Sequence, residues 1–154
     1  MIALINLIAS YMYFLLIKKS SIQIRYIDWI LTTPLLLYEL STILNIKDKT
    51  IQIIIQLCNL LMFYFGWLGE MQFKKRLLFC FLGFIPLVII FSVFYSYISN
   101  FKTTFYYYYF LILWSLYGIV YLKKKNRNLY YNVLDILSKS IFGLIYLYWV
   151  DKRS

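Results

Sequence analysis

Between its clusters of lysine and arginine, the chain reads as six apolar runs: Ile2 to Ile17, Tyr26 to Leu44, Ile51 to Leu68, Leu77 to Ile98, Thr103 to Leu122 and Leu129 to Val150. Each approaches the roughly 20 residues that carry a helix across the hydrocarbon core of a bilayer, the first being the shortest. With 63% hydrophobic and 22% aromatic residues in 154, the chain is too apolar for a soluble domain and reads as an integral membrane protein. The connections, such as Asn45 to Thr50 and Lys123 to Asn128, are short and polar, so consecutive helices are expected to run antiparallel. The expected fold is all-α: a multi-pass membrane helix bundle of six transmembrane helices, occupying residues 1–154 as a single domain. A cleaved signal peptide is a poor reading of the first run, because no basic stretch precedes it and no small-residue cleavage site follows.

A formal net charge of +10 raises the question of nucleic acid. Most of the basic residues, however, sit in short loops, as Lys18-Lys19, Lys74-Lys75-Arg76 and Lys123-Lys124-Lys125, where they serve as interfacial anchors against the lipid bilayer and as topology signals. A nucleic-acid partner is therefore not expected. Cys58 and Cys80 both fall in apolar runs and read as small packing residues. With no histidine and no cysteine cluster, no metal site is expected. The tyrosine run Tyr106 to Tyr109 reads as compositional bias plus an interfacial aromatic belt.

The polar residues inside the apolar runs carry the chemistry. Lys139 lies near the middle of the last run, where an ammonium costs roughly 2.5–3.5 kcal/mol even on the mildest insertion scale. Asp135, four residues earlier, shares its helix face, so a structural ion pair is one reading. The other is an amine held for covalent attachment of a carbonyl compound as a Schiff base. Of only six carboxylates, Asp28, Glu39 and Asp135 are placed inside predicted membrane helices, while Asp48, Glu70 and Asp151 lie in or beside loops. Asp28 and Glu39 are eleven residues apart, which returns them to nearly the same helix face about 16.5 Å apart. Thr32 stands one turn beyond Asp28 and can offer it a hydroxyl, and Arg25 supplies a cation at the helix entrance. Arg25 and a protonated Lys139 balance Asp28 and Asp135, so these four form a neutral cluster if the second and sixth helices meet. Glu39 has no cation left over, and a lone carboxyl in an apolar helix is expected to hold its proton. One acceptor beside a cation and one stored proton half a membrane away is the arrangement a directional proton relay needs.

Three segments then resemble a known family. The run Arg25-Tyr26-Ile27-Asp28-Trp29-Ile30-Leu31-Thr32-Thr33-Pro34-Leu35-Leu36-Leu37-Tyr38-Glu39-Leu40 resembles the third-helix signature of the microbial (type 1) rhodopsins, in the branch of the proteorhodopsins and bacteriorhodopsin. Leu134-Asp135-Ile136-Leu137-Ser138-Lys139-Ser140-Ile141-Phe142-Gly143 resembles their last helix, and Trp114-Ser115-Leu116-Tyr117 their sixth. The resemblance implies all-trans-retinal as cofactor, joined to Lys139 as a Schiff base. It further implies Asp28 as counter-ion and primary proton acceptor, with Thr32 linked to it. Asp135 would be the second counter-ion, Glu39 the proton donor and Arg25 the gate on the far side. Trp29, Thr33, Leu36, Met62, Gly66, Trp114 and Tyr117 would line the retinal pocket, with Asn59 opposite Thr33 and Tyr13 reaching the counter-ion region. Leu36 matches the position at which leucine accompanies green absorption.

The match also has departures. The family has seven helices, and the six runs here match its second to seventh, so the chain is expected to be N-terminally shortened. Gly118 stands where the sixth helix usually carries proline, and Phe79 to Gly83 lacks an expected tryptophan. Arg127 lies where an acidic release residue is found in bacteriorhodopsin, and the short loops and Gly118 resemble viral members. In the family orientation the outer loops would carry Lys18, Lys19, Lys74, Lys75, Arg76, Lys123, Lys124, Lys125 and Arg127. The inner side would carry only Lys47, Lys49, Lys102, Lys152 and Arg153, against the positive-inside rule. The functional expectation is a light-driven ion transporter, a proton pump whose partners are retinal, protons and the bilayer, with a homo-oligomer left open. The alternative is a light-gated cation channel or sensory photoreceptor, and the donor carboxylate Glu39 favours the pump. An enzyme is not expected, because no nucleophile-and-base constellation stands outside this set.

Overall fold

The computed structural model describes residues 1–19 and 21–151. The described elements are α1 (Ile2–Lys18), α2 (Ile22–Ile43), α3 (Lys49–Met71), α4 (Arg76–Tyr95), α5 (Phe101–Leu122), α6 (Arg127–Asp135) and α7 (Phe142–Asp151). A single 3₁₀ turn, Phe73–Lys75, leads into α4, and a π-helical stretch, Ile136–Ile141, joins α6 to α7. The backbone stays right-handed at both ends of that stretch, so the last predicted run is one helical span with a π-segment in its middle. The six expected spans are thus six helical passes, with boundaries shifted by a few residues.

The helix ends follow local chemistry. Ser21 caps α2 by accepting from the Gln23 amide, and the Asp48 carboxylate caps α3 through the Thr50 amide at 2.7 Å. Asn100 and Thr103 form a reciprocal capping box at the start of α5. Asn45 and Asn126, with φ of 59° and 56°, take the left-handed turns that asparagine tolerates best after glycine.

The bundle is apolar outside, and inside it a buried polar cluster is set within an apolar core. Leu7 is 68% exposed, Ile17 84%, Val88 61% and Leu144 68%, whereas Arg25, Asp28, Thr32, Asn59, Asp135, Ser138 and Lys139 are all buried. Such an apolar exterior requires lipid around it. Lys49–Met71, Phe73–Tyr95 and Phe101–Leu122 are long and apolar enough to cross a membrane by composition alone, and Ile2–Lys18 is a shorter apolar helix. α2 is as long but carries Arg25, Asp28, Thr32, Thr33 and Glu39 on its buried face, which lowers its hydropathy.

The tyrosine run corrects the sequence reading. Tyr106 and Tyr107 are core residues, 0% and 7% exposed, packed against Phe142 and Phe91, and Tyr108 is the exposed member. A run of four consecutive residues on a helix covers a full turn, so some of its side chains must point into the bundle. Gly118 has a packing role as well: a Cβ there would collide with the Phe84 ring of α4, which lies against the α5 backbone at this point.

Candidate functional site

α2, the last residue of α6 and the π-segment bring together the four charges that sequence counting paired. Lys139 Nζ lies 2.6 Å from Asp28 Oδ2 and 3.7 Å from Asp135 Oδ1, and Arg25 Nη1 donates to Asp135 Oδ2 at 3.1 Å. All four residues are at most 3% exposed. The nearest carboxylate to Lys139 is therefore Asp28, from a different helix, and not its own helix neighbour Asp135. A π-segment, which widens the turn to i→i+5 hydrogen bonding, spans Lys139 itself; such segments are frequent at functional sites.

The two carboxylates have different surroundings. Asp135 Oδ1 accepts from Trp29 Nε1 at 3.0 Å and from Tyr117 Oη at 2.6 Å, while Oδ2 accepts from Tyr13 Oη at 2.7 Å and from Arg25. These four donors match the roughly four lone-pair positions a carboxylate offers. Asp28 receives Lys139 and only a long contact, 3.5 Å, from Thr32 Oγ1. The expected Thr32 link is thus mainly to the backbone: its hydroxyl donates to the Asp28 carbonyl at 2.8 Å, the usual back-bond of a helical threonine to residue i−4. Arg25 pairs with Asp135 and with Asn132, the latter at 2.8 Å, so it ties α2 to α6 across the bundle.

Glu39 lies near the other end of α2, 6% exposed. It is not without a cation, as charge counting had it: the Met1 amine is 3.9 Å from Oε1. Side-chain charge counting overlooks a terminal amine. No Lys or Arg among the described residues pairs with Glu39.

A cavity of about 120 Å³ opens beside Lys139. All seven residues expected to line a pocket line it: Trp29, Thr33, Leu36, Met62, Gly66, Trp114 and Tyr117. Thr33 exchanges hydrogen bonds with Asn59 at 3.1–3.3 Å, as expected for residues facing each other across α2 and α3. Tyr26, Phe63, Phe84, Leu87, Tyr121, Tyr131 and Ser138 also line the cavity and were not anticipated. For Tyr131 a signal existed in the helical spacing, since it lies four residues before Asp135; for Phe84 only the complementary Gly118 on another helix would have told. Trp29 stacks its edge against Tyr131 and Tyr117 at 4.9 and 5.5 Å between centroids, which fixes the wall nearest Lys139. Flat apolar walls, a single amine at one end and carboxylates behind that amine fit a long polyene aldehyde.

Comparison with known proteins gives the same answer. A family model described as bacteriorhodopsin-like protein matches residues 1–153. The crystal structure of viral rhodopsin OLPVRII superposes with a TM-score of 0.91 at 28% identity, covering 99% of this chain and 81% of that one. Exiguobacterium sibiricum rhodopsin shares the fold with a TM-score of 0.84 at 24% identity, covering 99% of this chain and 81% of its own. No curated protein sequence gives a match. The chain belongs to the bacteriorhodopsin-like family, the microbial rhodopsins, which are multi-pass membrane proteins with a retinal chromophore.

Proposed function

We propose that this chain is a light-driven proton pump that holds all-trans-retinal on Lys139. Retinal joined to Nζ as a protonated Schiff base supplies light absorption and an isomerisation that makes the Nζ proton mobile. The single observation that carries the reading is the unequal filling of the two carboxylates around Nζ. Asp28 Oδ2 is 2.6 Å away, within direct proton-transfer reach, and has free acceptor capacity. Asp135 is occupied by Tyr13, Arg25, Trp29 and Tyr117, so it serves as a fixed second counter-charge. Asp28 accepts the proton, and Thr32 keeps contact with its carboxylate.

Glu39 is the donor that returns a proton to Nζ. It lies on the same helix, about 16.5 Å along the axis from Asp28, with buried Leu36, Leu37 and Leu40 beside it. That apolar stretch keeps the two carboxylates from exchanging protons directly, which a pump requires. Trp29, Thr33, Leu36, Met62, Gly66, Trp114 and Tyr117 hold the polyene and exclude water from it. Arg25, linked to both Asp135 and Asn132, stands between the cluster and the nearer end of the bundle as its gate.

The test is light-induced pH change in a suspension of vesicles or cells containing the retinal-loaded protein, recorded with and without a protonophore. A pH change abolished by the protonophore supports pumping. Visible colour with no pH change rejects the pump and leaves the light-gated channel or the sensory photoreceptor.

A further inference from the structure

A second charged cluster lies outside the Lys139 site, at the end of the bundle that carries loops 72–75 and 123–126. Glu70, in the last turn of α3, accepts from Arg76 Nη2 at 2.5 Å. It also accepts from Arg127 Nη1 and Nη2 at 2.8 and 3.2 Å, one to each oxygen, so Arg127 grips the carboxylate as a fork. One carboxylate faces two guanidiniums, which leaves one positive charge in excess. The side chains concerned are only 11–19% exposed.

Two further features deepen the imbalance. Arg76 and Arg127 are the first residues of α4 and α6, where the helix dipole is already positive, and neither helix has a side-chain cap at that end. Proteins ordinarily place anions at such positions. In addition, the Nε–H of Arg76, a residue 9% exposed, is buried with no acceptor. Its guanidinium packs over the rings of Tyr121 at 4.5 Å and Phe73 at 5.6 Å. Lys74, Lys75, Lys123, Lys124 and Lys125 are exposed on the two adjoining loops, which carry no carboxylate.

We propose that this cluster is an oxyanion site whose ligand is a phosphate group, carried either by an anionic phospholipid headgroup or by free inorganic phosphate. Helix ends of a membrane bundle lie at headgroup depth, and basic pockets between such ends recognise phosphate headgroups. The planar guanidinium suits phosphate oxygens better than an ammonium does. A phosphate oxygen is the acceptor that Arg76 Nε–H lacks, and its charge neutralises the excess left by Glu70. The inference is independent of pumping and of retinal.

The test uses the full chain in nanodiscs, with thermal unfolding followed by tryptophan fluorescence, a readout that needs no cofactor. In discs of phosphatidylcholine alone, sodium phosphate is titrated against sodium chloride at matched ionic strength; a second set of discs contains phosphatidylglycerol. A saturable rise in Tm with phosphate identifies free phosphate as a ligand, and a rise only in the phosphatidylglycerol discs identifies the lipid headgroup. In either case Arg127→Gln weakens the responding probe at least about tenfold, because Glu70 then neutralises Arg76 completely. Glu70→Gln, which frees both guanidiniums, strengthens it. No response to either probe, an equal response to chloride, or a response unchanged in Arg127→Gln would overturn the proposal. If Arg127→Gln does not fold, Glu70→Gln decides, and unchanged or weaker binding there overturns it.

Discussion

Replacing Asp28 by asparagine keeps the volume of the side chain and removes the carboxylate nearest Lys139. Asp28 Oδ2 is 2.6 Å from Nζ and Asp135 Oδ1 is 3.7 Å away, so by Coulomb's law Asp28 attracts that cation about 1.4 times as strongly. Without Asp28 the nearest proton acceptor is Asp135, whose oxygens are occupied by Trp29, Tyr117, Tyr13 and Arg25. Releasing one hydrogen bond to a charged group costs about 1.5–3 kcal/mol, or roughly a ten- to hundredfold slower transfer. Flash spectroscopy of the retinal-loaded protein follows loss of the Nζ proton and reads this directly. Asp135→Asn is the control: it keeps the Asp28 acceptor and a fast transfer. Its damage appears in stability, by up to about 3–5 kcal/mol, because Arg25 loses its buried partner. Transfer at the unmodified rate in Asp28→Asn, or a larger slowing in Asp135→Asn than in Asp28→Asn, would refute the assignment of Asp28 as acceptor.

Three other substitutions probe separate parts of the account. Glu39→Gln removes the donor carboxylate and is expected to slow return of the proton to Nζ by about 10²-fold, within the usual contribution of general acid catalysis, while the visible band stays in place. Gly118→Ala pushes a methyl group into the Phe84 ring and is expected to lower stability by about 1–3 kcal/mol, read as earlier thermal loss of the visible band. Leu36→Gln places a polar amide in the cavity wall and is expected to shift the band to shorter wavelength; an unmoved maximum would remove Leu36 from contact with the chromophore.

Much of the site was legible because membrane burial makes charges expensive. Arg25, Asp28, Asp135 and Lys139 stood out as costly residues whose signs cancel, and that sum implied a shared location before any geometry was known. The seven pocket residues were legible only through the resemblance of their segments to the microbial rhodopsins, because Met62, Gly66, Trp114 and Tyr117 lie on helices that carry neither Asp28 nor Lys139. Contacts made between distant segments left no comparable trace. Glu70, Arg76 and Arg127 each sit at a helix end, where charges are ordinary, so nothing in one sequence marked them as partners. Phe84 and Gly118 are explained only by each other. The π-segment is a change in backbone hydrogen bonding with no residue type of its own, and Tyr106 was hidden in a run that looked compositional.

The central claim is that Lys139, facing Asp28, is the residue that carries the chromophore. The most direct measurement adds all-trans-retinal to the full chain and to Lys139→Ala, then records the visible spectrum and the mass of the peptide containing residue 139 after borohydride reduction. The account predicts a visible band and a retinal adduct on that peptide in the parent chain, and neither in the variant. A visible band retained in Lys139→Ala, or an adduct found on another lysine, would contradict it.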